Sequence, residues 1–128
     1  MTSPVGIPSL TVNEAEARLR TESDPRPLLV DVRERSEFES LRADGAALVP
    51  MSSFATDYAG LPKDRPLLVV CAAGGRSAAA TAFLLRSGWT DVLNVDGGMT
   101  AWERAGLPVK RGPVAPGEGV PPRSDGPR

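Results

Sequence analysis

The sequence predicts an α/β fold in which a parallel β-sheet carries helices on both faces. Short apolar runs such as residues 67–70 (LLVV) lack the alternation of a half-exposed strand, so they are expected to be buried on both faces. These runs alternate along the chain with segments of helical composition, such as residues 77–86. Strands that alternate with helices are typical of parallel sheets.

The predicted elements divide the chain into a single domain with two short flanks. Residues 1–9 contain Pro and Gly and are expected to be a loose lead-in, with a short strand near Leu10. Thr11 and Glu14 form a capping-box pattern, which predicts a helix to about Arg20. The other predicted strands are 28–32, 47–49, 67–70 and 92–95, and the other helical segments are 51–60, 77–86 and 99–104. The domain thus covers residues 10–109, and residues 110–128, rich in Pro and Gly, are expected to form a disordered tail.

Composition excludes several classes of protein. The chain has 128 residues, 41% of them hydrophobic, and a net charge of −1, which offers no field to attract nucleic acid or acidic lipid. No apolar run is long enough to span a bilayer and the first residues do not resemble a signal peptide, so we expect a cytoplasmic protein. One cysteine and no histidine exclude internal disulfides, Cys/His metal sites and catalytic triads, and no cofactor is indicated.

The single cysteine lies where a buried strand meets a helix. Cys71 directly follows the strand predicted at 67–70. The next four residues have little or no side chain: Ala72, Ala73, Gly74 and Gly75. Their backbone N–H groups, at the positive end of the helix dipole, are able to surround an anion. Together with the charge of Arg76, such a loop favours the thiolate of Cys71, which is the nucleophilic form.

A structural interpretation of the same residues stays open. A free cysteine at the end of a buried strand is often a small hydrophobic residue that fills core volume. Gly74 and Gly75 then form only a tight turn, and Arg76 is a solvated charge. Residues 96–98 (DGG) are interpreted as a plain turn, although this turn is able to bring backbone close to the Cys71 loop.

Three segments resemble the rhodanese family of sulfurtransferases, in the right order and spacing. The Cys-x-x-Gly-x-Arg-Ser pattern of residues 71–77 is similar to the active-site loop of that family. The other two matching segments are LVDVRE at 29–34 with the residues that follow it to Pro50, and VLNVDGGMTAWERAGLPV at 92–109. The resemblance covers about residues 10–109 and implies a rhodanese-like α/β fold. Arg42 stands where the family commonly has a histidine that is not its nucleophile, so this difference affects a turn and not the chemistry.

The resemblance implies a sulfurtransferase. Cys71 takes sulfane sulfur from a donor such as thiosulfate, holds it as a persulfide and passes it to cyanide, a thiol or an acceptor protein. The amides from Ala72 to Arg76 bind the transferring sulfur, and Arg76 helps to bind the donor anion. Asp31 and Arg33, at the end of a neighbouring strand, are candidates for support of the loop. They are equally compatible with Asp31 capping the next helix and Arg33 forming an exposed pair with Glu37.

Two other functions fit parts of the pattern. Cysteine phosphatases and arsenate reductases also place a Cys and an Arg around a loop, but phosphatases have five residues between them, whereas Cys71 and Arg76 enclose four. The smaller loop suits a sulfur atom better than a tetrahedral phosphate. The domain is also compatible with a sulfur carrier or a docking module without catalysis of its own.

Overall fold

The structure, a computed structural model, describes residues 6–122 and contains one parallel sheet in the order β1-β5-β4-β2-β3. The strands are β1 (Ser9–Leu10), β2 (Leu28–Asp31), β3 (Ala47–Leu48), β4 (Leu67–Val70) and β5 (Val92–Val95). The helices are α1 (Val12–Arg20), α2 (Arg35–Ser40), α3 (Met51–Asp57), α4 (Gly75–Arg86) and α5 (Gly98–Arg104), with a 3₁₀ turn at Tyr58–Gly60. The predicted α/β class and parallel sheet are confirmed.

Each face of the sheet has its own hydrophobic core. Leu67 and Val69 of β4 pack on one side with residues of α3 and α4, whereas Leu68 and Val70 pack on the other with residues of α1, α2 and α5. Because both faces are covered, the strand is apolar at every position. The absence of alternation in the sequence therefore has the physical cause that was expected.

The register of the sheet brings two strand ends to the same edge. β4 is central and pairs with β2 so that Asp31 lies beside Val70. Cys71 therefore leaves the sheet next to the segment that follows β2, at the carboxyl edge where open α/β sheets hold their sites. No helix within residues 6–122 has the length and apolar character needed to cross a membrane.

Residues 110–122, which the sequence predicts to belong to a disordered tail, are hydrogen-bonded to the body of the domain. Arg42, only 2% exposed, donates hydrogen bonds to the carbonyl of Gly112 at 2.8 Å and to the Glu118 carboxylate at 2.6 Å. This pairing holds the pKa of Glu118 down at about 2. The backbone N–H of Leu48 in edge strand β3 donates to the carbonyl of Gly119 at 2.7 Å.

The sequence did not indicate this attachment, because the composition of residues 110–122 does not show which groups elsewhere in the chain bind them. Few of its side chains are large and apolar, but a buried guanidinium binds its backbone carbonyls and carboxylate, and those contacts replace part of a core. We call residues 110–122 the C-terminal strap. Residues 123–128 of the predicted tail and residues 1–5 of the lead-in lie outside the described part of the chain, and Ser9 belongs to β1.

Replacing Arg42 with alanine is expected to lower the free energy of unfolding by about 3 kcal/mol, since buried carbonyls lose their donor. Urea denaturation measures this loss, and trypsin should cleave the variant faster after Lys110 and Arg111. Arg35→Ala is the matched control, because Arg35 is 63% exposed and its pair is with an exposed glutamate, Glu39. That control should change stability by less than about 0.5 kcal/mol. Equal stability of the Arg42 variant and the unchanged protein would contradict the anchoring role.

Candidate active site

Cys71 sits directly after the central strand, beneath a short loop that leads into α4. The helix begins at Gly75, two residues before the predicted start, and Gly74 precedes it with a φ of +113°. This left-handed conformation is one that glycine adopts without strain. The residue Cys71 is 1% exposed, whereas Ala73 and Gly75 above it are exposed.

The sulfur of Cys71 accepts three hydrogen bonds. Its donors are the backbone N–H of Gly74 at 3.1 Å, the backbone N–H of Ser77 at 3.3 Å and the Ser77 hydroxyl at 3.2 Å. Ala73 contributes a further, weaker backbone interaction. The sulfur is thus buried among inward-pointing donors and is not enclosed by hydrocarbon alone.

The loop amides differ in whether they bind the Cys71 sulfur itself. Within the described residues, the amides of Ala72, Gly75 and Arg76 are not hydrogen-bonded to it. Sequence reasoning also missed the role of Ser77. Its position in the first turn of α4, six residues after the thiol, was the available signal, but only the fold shows that the hydroxyl turns toward the sulfur.

Burial and hydrogen bonding act on the thiol in opposite directions. Burial of the sulfur raises the pKa of Cys71, because removal from water disfavours the charged form. Hydrogen bonds from the Ser77 hydroxyl and from the backbone amides of Ser77, Gly74 and Ala73 lower it. The donors prevail, and the pKa lies below the ordinary thiol value. The site therefore favours a thiolate.

Arg76 is paired with a glutamate that the sequence did not link to it. Its guanidinium donates two hydrogen bonds to the Glu37 carboxylate of α2, at 2.8 and 2.9 Å. This pairing lowers the pKa of Glu37 to about 2 and raises that of Arg76. The charge of the Cys71 thiolate also raises the pKa of Arg76, so the guanidinium senses the sulfur.

Asp31 and Arg33 pair with each other. The Asp31 carboxylate accepts hydrogen bonds from the Arg33 backbone at 3.0 Å and from its guanidinium at 2.9 Å. Arg33 also donates to the carbonyl of Leu41. The interpretation of Asp31 as a helix cap is therefore wrong, and so is that of an exposed pair between Arg33 and Glu37, since Arg33 is buried and Glu37 binds Arg76. Support of the Cys71 loop by Asp31 and Arg33 stays a prediction. Arg33 thus binds the carboxylate of Asp31, two residues before it in the chain, and not that of Glu37, four residues after it.

The turn at residues 96–98 supports the loop from behind, which corrects its interpretation as a plain turn. The backbone N–H of Met99 donates to the Cys71 carbonyl at 2.8 Å, and that of Thr100 donates to the Ala72 carbonyl at 3.0 Å. A Cβ on Gly98 would lie 2.3 Å from the Cys71 carbonyl oxygen. The close approach therefore requires glycine at this position.

An open pocket of about 300 Å³ borders the loop at Ala72. Its remaining lining consists of charged, polar and apolar residues from four parts of the chain: Arg33, Glu37, Ser40, Leu41, Met99, Thr100, Glu103 and Arg111. A second pocket, between Arg18 and Pro66, lies at the other end of the strands, away from Cys71.

The sequence matches the profile of the rhodanese-like domain family over residues 11–105. The chain belongs to this family. The chain is similar to a sulfurtransferase of Allochromatium vinosum, which is 39% identical over 82 residues, covering 64% of this chain and 77% of that protein. The thiosulfate sulfurtransferase GlpE of Vibrio cholerae is 33% identical over 101 residues, covering 79% of this chain and 92% of GlpE.

Two further similarities complete the comparison. The probable adenylyltransferase/sulfurtransferase MoeZ of Mycobacterium tuberculosis is 34% identical over 96 residues, but the match covers only 24% of MoeZ. Among solved structures, a rhodanese-related protein from Thermoplasma volcanium superposes with a TM-score of 0.73 at 28% identity, over 80% of this chain and 97% of that one. The rhodanese-like architecture expected from the sequence is confirmed.

Replacing Ser77 with alanine is expected to raise the pKa of Cys71, because burial persists while one donor is lost. The rate of alkylation by iodoacetamide as a function of pH measures this, and its midpoint should move to higher pH. Ser77→Thr keeps a hydroxyl and should restore most of the effect. Thr81→Val is the control, since the buried Thr81 hydroxyl, one turn along α4, has no hydrogen-bond partner among residues 6–122. Identical midpoints for Ser77→Ala and the unchanged protein would show that the hydroxyl does not act on the sulfur.

The Glu37–Arg76 pair predicts a loss of stability in acid. A carboxyl whose pKa is lowered by folding stabilises the protein above its ordinary pKa of 4.5, and this contribution disappears as the pH falls toward about 2. The two side chains are 34% and 37% exposed, so we expect no more than about 1 kcal/mol. The free energies of unfolding of the unchanged protein and of Glu37→Gln, measured in urea, should differ most above pH 4.5 and converge as the pH falls toward about 2. A difference that is independent of pH would contradict the assignment.

Proposed function

We propose that the chain is a sulfurtransferase that moves sulfane sulfur through a persulfide on Cys71. The observation that carries this proposal is the set of three hydrogen bonds accepted by the sulfur, which stabilise a negative charge there. The relatives named sulfurtransferase support the same reaction class.

In the first half-reaction, the Cys71 thiolate attacks the outer sulfur of a donor such as thiosulfate. A new S–S bond forms to Cys71, the bond between the two donor sulfurs breaks, and sulfite leaves with the electron pair. Cys71 then carries a persulfide anion. The hydrogen bonds that lower the pKa of Cys71 assist this step, because they increase the fraction of the nucleophilic thiolate.

In the second half-reaction, a nucleophile takes the outer sulfur. Cyanide attacks that sulfur and leaves as thiocyanate, while a thiolate leaves as a new persulfide. In both cases the S–S bond to Cys71 breaks and its electron pair restores the Cys71 thiolate. Since the chain holds a single cysteine, the sulfur passes to another molecule and not to a second thiol of this chain.

We assign the loop residues Ala72 to Arg76 to binding of the transferring sulfur and the donor anion. Small residues leave room above Cys71, and the N–H groups of the loop favour negative charge. Arg76 is the cation of the loop and is our candidate for binding the donor anion. Its two hydrogen bonds to Glu37 have to break before the guanidinium binds that anion directly. Otherwise it acts through its field on the thiolate.

The proposed function extends to the compartment of the reaction and to the acceptor of the sulfur. A reducing compartment such as the cytoplasm suits a chain whose only cysteine must stay a free thiol. An acceptor protein is an alternative to a small thiol or cyanide, and in that case the domain is a sulfur carrier. Hydrolysis of a phosphate ester, as by a phosphatase, or reduction of arsenate is the less favoured chemistry, because the loop has only four residues between Cys71 and Arg76.

Mass spectrometry after incubation with thiosulfate tests the proposal. We expect an adduct with the mass of one sulfur atom on Cys71, released by cyanide or a thiol, and no adduct in Cys71→Ser. Arg104→Ala, a change at an exposed position of α5, should behave like the unchanged protein.

Other outcomes would replace the proposal. An adduct that is discharged only by another protein indicates a carrier. If no sulfur donor forms an adduct with Cys71, the result indicates a docking module without catalysis of its own. Hydrolysis of an aryl phosphate that is lost in Cys71→Ser would favour a phosphatase.

A further inference from the structure

The pocket beside the active-site loop is partly built by the C-terminal strap. It touches the loop at Ala72, the residue after the nucleophile, and touches α2 at Glu37, which holds Arg76. Arg111 of the strap and Glu103 of α5 form another part of its wall. A segment outside the matched family region, which ends at residue 105, therefore contributes a cation to this pocket.

The strap holds the backbone next to Arg111 firmly. The adjacent Gly112 donates its N–H to the carbonyl of Glu39 at 2.8 Å and accepts a hydrogen bond from the buried Arg42 guanidinium at 2.8 Å. On the other side, Lys110 and Arg42 exchange two backbone hydrogen bonds, at 2.7 and 2.9 Å. Because both neighbours are tied to the body of the domain, Arg111 is presented at one place and is not carried on a loose end.

The charges of this pocket differ in how freely they can exchange partners. Arg33 is 5% exposed and committed to Asp31, and Glu37 is committed to Arg76 by two hydrogen bonds. Arg111 is instead paired with Glu103 at 2.7 Å, with side chains 59% and 53% exposed. Exposed pairs of this kind contribute little free energy and open readily. Arg111 is thus the pocket cation best able to bind a ligand.

We propose that Arg111 binds the carboxylate of a thiol acceptor and so selects carboxylate-bearing thiols over neutral ones. This inference rests on the proposed function. A volume of about 300 Å³ is in the range of sites for small organic molecules and exceeds what cyanide needs. The acceptor loses its thiol proton to solvent, and its sulfur attacks the outer sulfur of the Cys71 persulfide. The S–S bond to Cys71 breaks, and a carboxylate-bearing persulfide leaves.

The test compares two acceptors of similar size, mercaptopropionate and mercaptoethanol, in the discharge of the Cys71 persulfide. The ratio of their kcat/KM values is measured in the unchanged protein and in Arg111→Ala, so that the intrinsic reactivity of the two thiols cancels. We expect the ratio to fall by roughly threefold to tenfold in the variant, as for loss of one charge-assisted contact. The ratio should fall mainly because KM for mercaptopropionate rises. Arg111→Lys should restore part of the ratio.

A second variant separates ligand binding from a structural role. Glu103→Gln removes the carboxylate that competes with the ligand for Arg111, so the ratio should rise, opposite to the effect of Arg111→Ala. Arg104→Ala is the control for Arg111→Ala, because it also removes one positive charge, at an exposed position of α5. This control should leave the ratio unchanged. An unchanged ratio in Arg111→Ala, an equal loss with both thiols, or a fall in Glu103→Gln would overturn the proposal.

A reagent pair makes this inference separable from the proposed function. Mixed-disulfide formation at Cys71 is measured with dithiobis(nitrobenzoate), which carries carboxylates, and with dithiodipyridine, which is neutral. Arg111→Ala should lower the ratio of these rates as well, and this readout needs no sulfurtransferase activity. If thiosulfate yields no persulfide, the proposed function fails, and the disulfide ratio alone decides whether Arg111 recognises a carboxylate.

Discussion

The proposed chemistry depends on the balance between burial, which raises the pKa of Cys71, and hydrogen bonding, which lowers it. A thiol that is removed from water resists ionisation, and at the end of a central, doubly covered strand it would be inert. Two amides and one hydroxyl turn toward the sulfur and reverse that balance. This reversal requires the left-handed Gly74 and the early start of α4, since both aim the donors inward. The chemistry of the site is therefore set by backbone conformation as much as by side chains.

A second level of order lies around this centre in two ion pairs. Asp31 holds Arg33, and Glu37 holds Arg76, so each arginine near the loop has one carboxylate partner. The pairs differ in burial, because the first is nearly enclosed and the second is about one-third exposed. An enclosed pair orients chain segments, whereas a partly exposed one is able to rearrange when an anion arrives. The fold thus keeps positive charge at the site without leaving it unpaired.

The C-terminal strap connects the active-site edge to the rest of the domain by a different principle. It is held by a buried guanidinium that binds carbonyls and a carboxylate, and it covers the edge of β3 through the Leu48 N–H. Edge strands with unpaired groups are open to association with other chains, so this cover also protects the sheet. The Arg42 guanidinium binds Gly112, Pro113 and Glu118 of the strap, and further backbone hydrogen bonds from Leu48 and Gly112 add to this attachment.

The sequence by itself determined the α/β class, the parallel sheet and the position of the single cysteine directly after the central strand. These follow from local patterns: apolar runs without alternation, a capping box at Thr11 and a cysteine between a strand and small residues. Only the tertiary structure decided which charges pair, that Ser77 reaches the sulfur, that Gly98 packs on the loop and that Arg42 binds the C-terminal strap. The physical reason is that periodicity and propensity act over a few residues, whereas the partner of a side chain is chosen among groups that folding brings together from distant positions.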